Sequence, residues 1–412
     1  MSSILDAREE RGILIHQLLQ KSPIVISVKA NIPGPDKNLV VAHLIVSLFT
    51  NLIHHLYKKE PVKYLSEDGP FSVFGLEDEG SLVKSQMIDM EETHPIGRYV
   101  DIDVYSLQTE FHRDQPRKCY LCGDVAFHCA KANKHSLNEY INQINDDVSR
   151  YLMAKINQFI DESMLDELHL HPKFGLVTKD SPGSHKDMNY QMMVTAKNAI
   201  IPFLVKIYEY AFHSEEPIQF ELFHIKAIGM AAEKAMYEST NHVNAYKGLI
   251  YHLGYGLFAL GKVMKLHQSF DEIFEWLKNI GTDYEKNMKQ APDSYGKQLF
   301  LDKGIGGARK EMAMGLPHVH EAMSYLVDNS RQSLYNALRY LIIHVEDTTL
   351  YKRAGFAQVQ SIKNKFIDLD VTDEEAISRL TNECIESQLT FGGSADLLVV
   401  SLFFNRIKAW IF

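Results

Sequence analysis

Four cysteines in 412 residues are too few for a disulfide scaffold, which excludes the class of small secreted domains stapled by bridges. An excess of basic charge is also missing. The formal charge of −10 argues against a nucleic-acid or anionic-membrane partner and leaves room only for a local basic pocket. The N-terminal MSSILDAREERGILIH lacks the unbroken apolar stretch of a signal peptide. The most apolar early segment, LVVAHLIVSLFTNLIHHLY, carries His43, His54 and His55 and reads as a buried helix rather than a membrane span. Low-complexity linkers and internal repeats are absent as well. These absences lead us to expect a soluble, cytoplasmic protein.

Apolar residues make up 45% of the chain and charged residues 23%, ordinary values for a folded protein, and the length favours two or three domains. The sequence changes character near residue 140. Before that point helical runs alternate with strand-like pieces such as VISVKA, FSVFG and YVDIDVY. Beyond it, apolar residues at helical spacing dominate, as in LFHIKAIGMAAEKAMYEST, and strand signals almost vanish. The expected architecture is a small mixed α/β domain over residues 1–140 and a larger all-helical domain over 150–412, that is, α+β followed by all-α.

Within PIGRYVDIDVY, a strand would project Asp101 and Asp103 to one face and Val100, Ile102 and Val104 to the other. Two readings compete: a solvated edge strand, or a carboxylate pair that holds a cation, most naturally Mg²⁺ partnered by a substrate phosphate. Nearby cations (Arg98, Arg113, Arg117, Lys118, Lys131 and Lys134) suit the second better. The same stretch, RKCYLCGDVAFHCAKANKH, places Cys119, Cys122 and Cys129 near His128 and His135. One CxxC with short later spacings is a weak zinc signature, so the thiols read as small buried hydrophobes, with little tightly bound metal expected.

In the helical half the chemistry sits in the loops between helices. GSHKDMN carries His185 and Asp187. Glu233 lies on a helix, with Asn244 and Lys247 just beyond it. GIGGARKEMAMG carries Arg309 and Glu311, HVEDTTLYKRAG carries Glu346, Asp347, Lys352 and Arg353, and FGGSADLL carries Asp396. Any one of these could be a capped helix end. Several together fit helix ends converging on a metal-bound polyphosphate. GIGGARKE itself is neither a Walker A loop nor a Rossmann loop.

On NIPGP, HPIGRYVDIDVY and RKCYLCGDVAFHCAKANKH, residues 1–140 resemble the holo-citrate lyase synthase family. The resemblance implies transfer of a phosphoribosyl-dephospho-CoA group from its triphosphate precursor to a serine of the citrate lyase acyl carrier subunit, with release of pyrophosphate. It also implies a nucleotidyltransferase-like fold, Asp101 and Asp103 as Mg²⁺ ligands and catalytic groups, and Arg98 beside the phosphates. On PKFGLV, GSHKDMN, VNAYKG, GGARKEMAMGLP, EDTTLYKRAG and GGSADLL, residues 150–412 resemble triphosphoribosyl-dephospho-CoA synthase. That resemblance implies joining of ATP to 3′-dephospho-CoA with loss of free adenine. Metal ligands and the general base would then come from Asp187, Glu233, Glu311, Asp347 and Asp396, with Glu233 and Glu311 as catalytic acids or bases. Substrate contacts would come from His185, Asn244, Lys247, Arg309 and Arg353. Which acid is the base stays open.

The chain departs from the family pattern at Tyr246 and Tyr295, where histidines are usual, and at Thr349, where asparagine is usual. A phenol donates a hydrogen bond but does not titrate near neutrality. The leading expectation is a bifunctional enzyme. The alternatives are a working transferase joined to a helical scaffold or carrier-docking module, and an unrelated metal-dependent nucleotide hydrolase.

Overall fold

A computed structural model describes residues 4–113, 115–290, 295–328 and 330–412. The chain divides into two compact units, residues 1–154 with 409–412 and residues 155–408.

The first unit is mixed, as the alternation of helical and strand-like runs predicts. Its elements are α1 (Ile4–Leu19), β1 (Ile24–Ala30), α2 (Val40–Tyr57), β2 (Val62–Ser66), β3 (Gly69–Leu76), α3 (Gly80–Thr93), β4 (Val100–Tyr105) and α4 (Ala126–Lys131). The sheet has the order β2-β3-β1-β4 and every pairing is antiparallel, so β4 is an edge strand. Period-2 patterning gives the sheet two faces. On one, Val25, Phe71 and Val73 pack against Ile15 of α1, with Tyr64 and Tyr105 at the margin. On the other, Ile26, Val28, Phe74, Ile102 and Val104 are buried where α2 and α3 contact the strands. Helix α2 is long and apolar enough to cross a membrane by length and composition, yet half of it is buried within the protein. Its buried Thr50 bonds Ser72 of β3 at 2.6 Å, as a core helix would.

Helix α5 (Leu137–His169) passes the division between the units. The second unit is helical: α6 (Tyr190–His213), α7 (Ile218–Ser239), α8 (Lys247–Lys265), α9 (Glu272–Ile280), α10 (Tyr284–Gln290), α11 (Tyr295–Lys303), α12 (Gly307–Ala313), α13 (Pro317–Met323), α14 (Arg331–His344), α15 (Thr348–Ile367), α16 (Glu374–Glu386) and α17 (Gly392–Ile411). Helix α8 is the core element and is buried along most of its length. It is apolar on nearly every side, as a helix surrounded by others must be. Gly261 lets α6 approach it closely, because a Cβ there would stand 3.0 Å from Tyr208 O and Phe212 N. Helix α15 is interrupted at Gly355, whose φ of 72° is open to glycine and strained for other residues.

Candidate functional site

In the first unit the register sets Asp101 opposite Lys29 and Asp103 opposite Ser27, so the two carboxylates share a face with Lys29. The strand lies at the sheet edge, as the plainer of the two readings had it, but its aspartates are not simply solvated. Lys29 Nζ lies 2.9 Å from Asp101 Oδ2 and 3.8 Å from Asp103 Oδ2. Arg117 Nη2 donates to Asp101 Oδ1 at 2.8 Å and to the buried Glu91 Oε1 at 2.6 Å, while Nη1 donates to Val100 O at 3.1 Å. Arg113 pairs with the other Glu91 oxygen. Burial raises the Asp101 carboxyl, but Lys29 and Arg117 outweigh it and hold the group below the ordinary carboxylate value. Asp101 is therefore ionised at neutral pH. Arg98 is exposed and lies over the Tyr120 ring, 5.6 Å from its centroid.

Beside this strand, Arg117 O accepts from Ala126 N at 2.9 Å and Cys119 N donates to Asp124 O at 2.6 Å, which closes a tight turn with Gly123 at φ 76°. The turn gathers Cys119, Cys122, Cys129 and His135, one ligand atom from each within 4.8 Å of all the others. Cys122 is exposed, so the expectation that these thiols are buried hydrophobes does not hold for it.

In the second unit a cavity of about 740 Å³ gathers most of the loops named from sequence. His185, Asp187, Asn244, Lys247, Glu311, Asp347, Arg353 and Asp396 all line it, together with the first turns of α8, α15 and α17. Asp347 caps two of those helices. Its Oδ1 accepts from Thr349 N and Leu350 N at 2.9 and 3.1 Å, and its Oδ2 accepts from Gly393 N at 2.8 Å. Burial still drives its carboxyl above the ordinary value against those three donors. Asp396 is pushed well above its ordinary value, first by burial and then by Asp347 and Glu167, with the Leu249 N–H of α8 opposing. Gly248 makes room for it, since a Cβ there would lie 2.1 Å from Asp396 Oδ2. Glu311 is buried, and its oxygens accept from His318 N at 3.0 Å and face His318 Nδ1 at 2.6 Å.

Glu233 and Arg309 do not line the cavity. Glu233 lies 2.9 Å from Lys247 Nζ, and the exposed Arg309 faces Met288 Sδ at 3.6 Å. Its neighbour Lys310 lines the wall instead and pairs with Glu346 at 2.7 Å. Tyr295 is 39% exposed and off the cavity, and Ser294 beside it lies outside the described residues. Tyr246, by contrast, lines the cavity, and its buried hydroxyl has no hydrogen-bond partner among the described residues.

Two groups were missed from the sequence. Glu167 lines the cavity and holds the fully buried Lys173, whose Nζ also donates to Glu167 O at 2.6 Å; burial pushes both side chains toward their neutral forms. His252 of α8 bonds Ala308 O through Nε2 at 3.0 Å. A carbonyl only accepts, so Nε2 carries the proton. Burial lowers the ring's pKa and keeps it neutral, leaving the Nδ1 lone pair buried and without a partner among the described residues. Lys173 sits in PKFGLV, so that motif was its signal; His252 lies in an apolar run that carries none.

Tyr246→Phe removes an unpartnered buried hydroxyl and is expected to stabilise the ligand-free protein by about 1–3 kcal/mol. Urea unfolding checks this; a destabilised variant would show that the hydroxyl is already satisfied.

Two family models match the chain: ATP:dephospho-CoA triphosphoribosyl transferase over residues 153–411, and apo-citrate lyase phosphoribosyl-dephospho-CoA transferase over residues 1–151. The chain is 30% identical to Protein CitXG of Leuconostoc mesenteroides subsp. cremoris, over 99% of this chain and 97% of that protein. Protein CitXG of Haemophilus influenzae is 29% identical over 99% of this chain and 96% of its own length. The 2-(5''-triphosphoribosyl)-3'-dephosphocoenzyme-A synthase of Haemophilus ducreyi is 26% identical, over 69% of this chain and 98% of its own.

Proposed function

The chain belongs to the ATP:dephospho-CoA triphosphoribosyl transferase family and carries an apo-citrate lyase phosphoribosyl-dephospho-CoA transferase region before it, and from that premise we propose that one polypeptide makes the citrate lyase prosthetic group and attaches it. Residues 150–412 join ATP to 3′-dephospho-CoA: the 2′-hydroxyl of dephospho-CoA bonds to the anomeric carbon of the ATP ribose, the bond to adenine breaks, and the triphosphate stays attached. Residues 1–140 then let a serine of the acyl carrier subunit attack the α-phosphorus of that product, expelling pyrophosphate. Both substrates of the first step are nucleotides of the cytoplasm, which supports that location.

The observation that carries the first activity is the cavity itself, into which the first turns of three long helices open beside Lys247 and Arg353. Helix N-termini and cations suit a polyphosphate. His185, Asn244, Lys247 and Arg353 are the substrate contacts of this reading, and Lys310 takes the place on the wall expected of Arg309. A base must take the hydroxyl proton. His252 offers an unprotonated nitrogen and Glu311 a carboxylate held against His318. Asp347, Asp396 and Glu167 do not converge as a ready ligand set, since Asp347 accepts from three backbone N–H groups and Glu167 pairs with Lys173. On this reading a cation would arrive with the triphosphate and draw on Asp187 and Asp396 at the wall. Asp101 and Asp103 suit one in the other unit. Mg²⁺ bound there would neutralise phosphate charge. A cavity lined by buried ionisable groups argues against reading the helical half as an inert scaffold.

The deciding experiment incubates the protein with ATP, 3′-dephospho-CoA and MgCl₂, follows free adenine, then adds apo acyl carrier subunit and follows its mass. Adenine release followed by modification of one serine is the expected result. Modification from supplied precursor without adenine release would leave only the transferase.

In this reading Tyr246 hydrogen-bonds substrate, so Tyr246→Phe lowers adenine release by the equivalent of about 0.5–3 kcal/mol, a few-fold to somewhat over a hundredfold. Tyr295→Phe leaves it near wild type. Burial lifts the Tyr246 phenol well above its ordinary value, so the pH profile carries no limb from it near neutrality. A neutral limb present in wild type and absent in Tyr246→Phe would contradict that.

A further inference from the structure

Three thiols and an imidazole meet in a span that a tetrahedral ion fills. Zinc–sulfur bonds of about 2.3 Å place tetrahedral sulfur ligands roughly 3.8 Å apart. The four ligand atoms here lie within 4.8 Å of one another, and Cys122 Sγ is 3.3 Å from Cys129 Sγ, in hydrogen-bond reach and without a disulfide. Among the described residues no other group of three or more His, Cys, Asp or Glu side chains converges this way.

The local backbone is shaped to hold them. Gly123 N donates to Cys119 O at 2.9 Å, and Gly123 adopts φ 76°, which turns the chain back directly after Cys122. Lys118 bridges to Val125 across the turn. Cys129 comes from α4, and Lys134 N donates to Cys129 O at 3.1 Å, which folds the chain so that His135 returns to the cluster. A second, independent observation is that His135 Nε2 is buried and has no hydrogen-bond partner among the described residues. Buried polar atoms are rarely left so unless something absent from the chain completes them.

We propose that Cys119, Cys122, Cys129 and His135 bind one structural Zn²⁺ ion. Three sulfur ligands and a nitrogen in a tetrahedral span select zinc over the harder divalent cations, and four protein ligands leave no open position for catalysis. On binding, the three thiols give up their protons to solvent and the imidazole stays neutral. This reverses the reading of the thiols as inert hydrophobes. The ion fastens the segment that presents Arg117 to Asp101 and Glu91, two residues before Cys119. It also fixes Tyr120, which lies under Arg98 and packs edge-on against Tyr99 and Tyr140.

The test is metal content of the full chain, expressed with zinc in the medium and purified without chelator. About one zinc per chain is expected in wild type and in Cys384→Ser, falling below roughly a tenth in Cys122→Ser and His135→Ala after a mild chelator. Cys122 is exposed, so its replacement leaves the fold intact; unchanged far-UV circular dichroism checks this. If wild type is isolated without zinc, Co²⁺ added alone supplies the second reading, and thiolate-to-cobalt charge-transfer absorption supports the site. No zinc together with no such absorption overturns the proposal. So does zinc retained in both variants, which would place the metal elsewhere.

Discussion

Asp101→Asn is expected to lower attachment of the prosthetic group to the carrier subunit by about 100- to 1,000-fold while adenine release from ATP continues at the wild-type rate. Asparagine keeps the size and one acceptor oxygen but loses the charge that Lys29 and Arg117 hold below the ordinary carboxylate value. In the proposed reaction that charge holds a cation against the departing pyrophosphate, where negative charge grows as the serine attacks. The uncharged variant leaves Lys29 and Arg117 facing Asp103 and Glu91 alone. Mass spectrometry of the carrier subunit, with precursor supplied, measures the transfer. Adenine release in the same preparation reports the other activity. A folded variant that lost both would show that the two sites do not work independently, and one that lost neither would remove Asp101 from the chemistry.

Glu311→Gln carries the second large expectation, a loss of about 100-fold or more in adenine release at saturating substrates. Both oxygens of this buried carboxylate are committed to His318, one to its backbone N–H and one to its ring. Glutamine retains a single acceptor, so the charge is lost and the ring contact survives only if His318 switches tautomer to accept from the amide NH₂. The comparison with Tyr246→Phe gives the test its resolution, because the tyrosine supplies one neutral hydrogen bond and the glutamate an oriented charge. If Glu311→Gln stayed near wild type while Tyr246→Phe was inactive, the catalytic centre would lie elsewhere in the cavity. If wild type itself released no adenine with magnesium present, the scaffold reading would take over for the helical half.

Much of the architecture could be read from periodicity. The alternation in YVDIDVY marked a strand and correctly put Asp101 and Asp103 on one face, because a period of two admits no other arrangement within a strand. The helical half was legible for the same kind of reason, and its Gly- and Asp-rich junctions pointed to loops that line one cavity. Side-chain direction at helix ends was less legible. Arg309 and Lys310 are neighbours, yet the roughly 100° between successive helical positions sends one toward Met288 and the other to the cavity wall. Glu233 stands behind the wall, paired with the cavity-lining Lys247, a placement that no local pattern encodes. His252 and the Glu167–Lys173 pair gain their meaning from neighbours distant in sequence. Spacing also says nothing of the backbone path that returns His135 to the sulfurs.

The close approach of Gly248 to Asp396 ties the fates of two positions about 150 residues apart. Any side chain at 248 would collide with the carboxylate and drive it from the Leu249 N–H, so a mutation there is deleterious only while position 396 stays acidic and long enough to reach. Conversely, shrinking residue 396 relaxes the demand for glycine. The two positions are thus epistatic for folding: random mutagenesis scored for stably folded protein, not for adenine release, should recover substitutions at 248 only alongside a smaller residue at 396, and a library that varies one position at a time would miss every such pair.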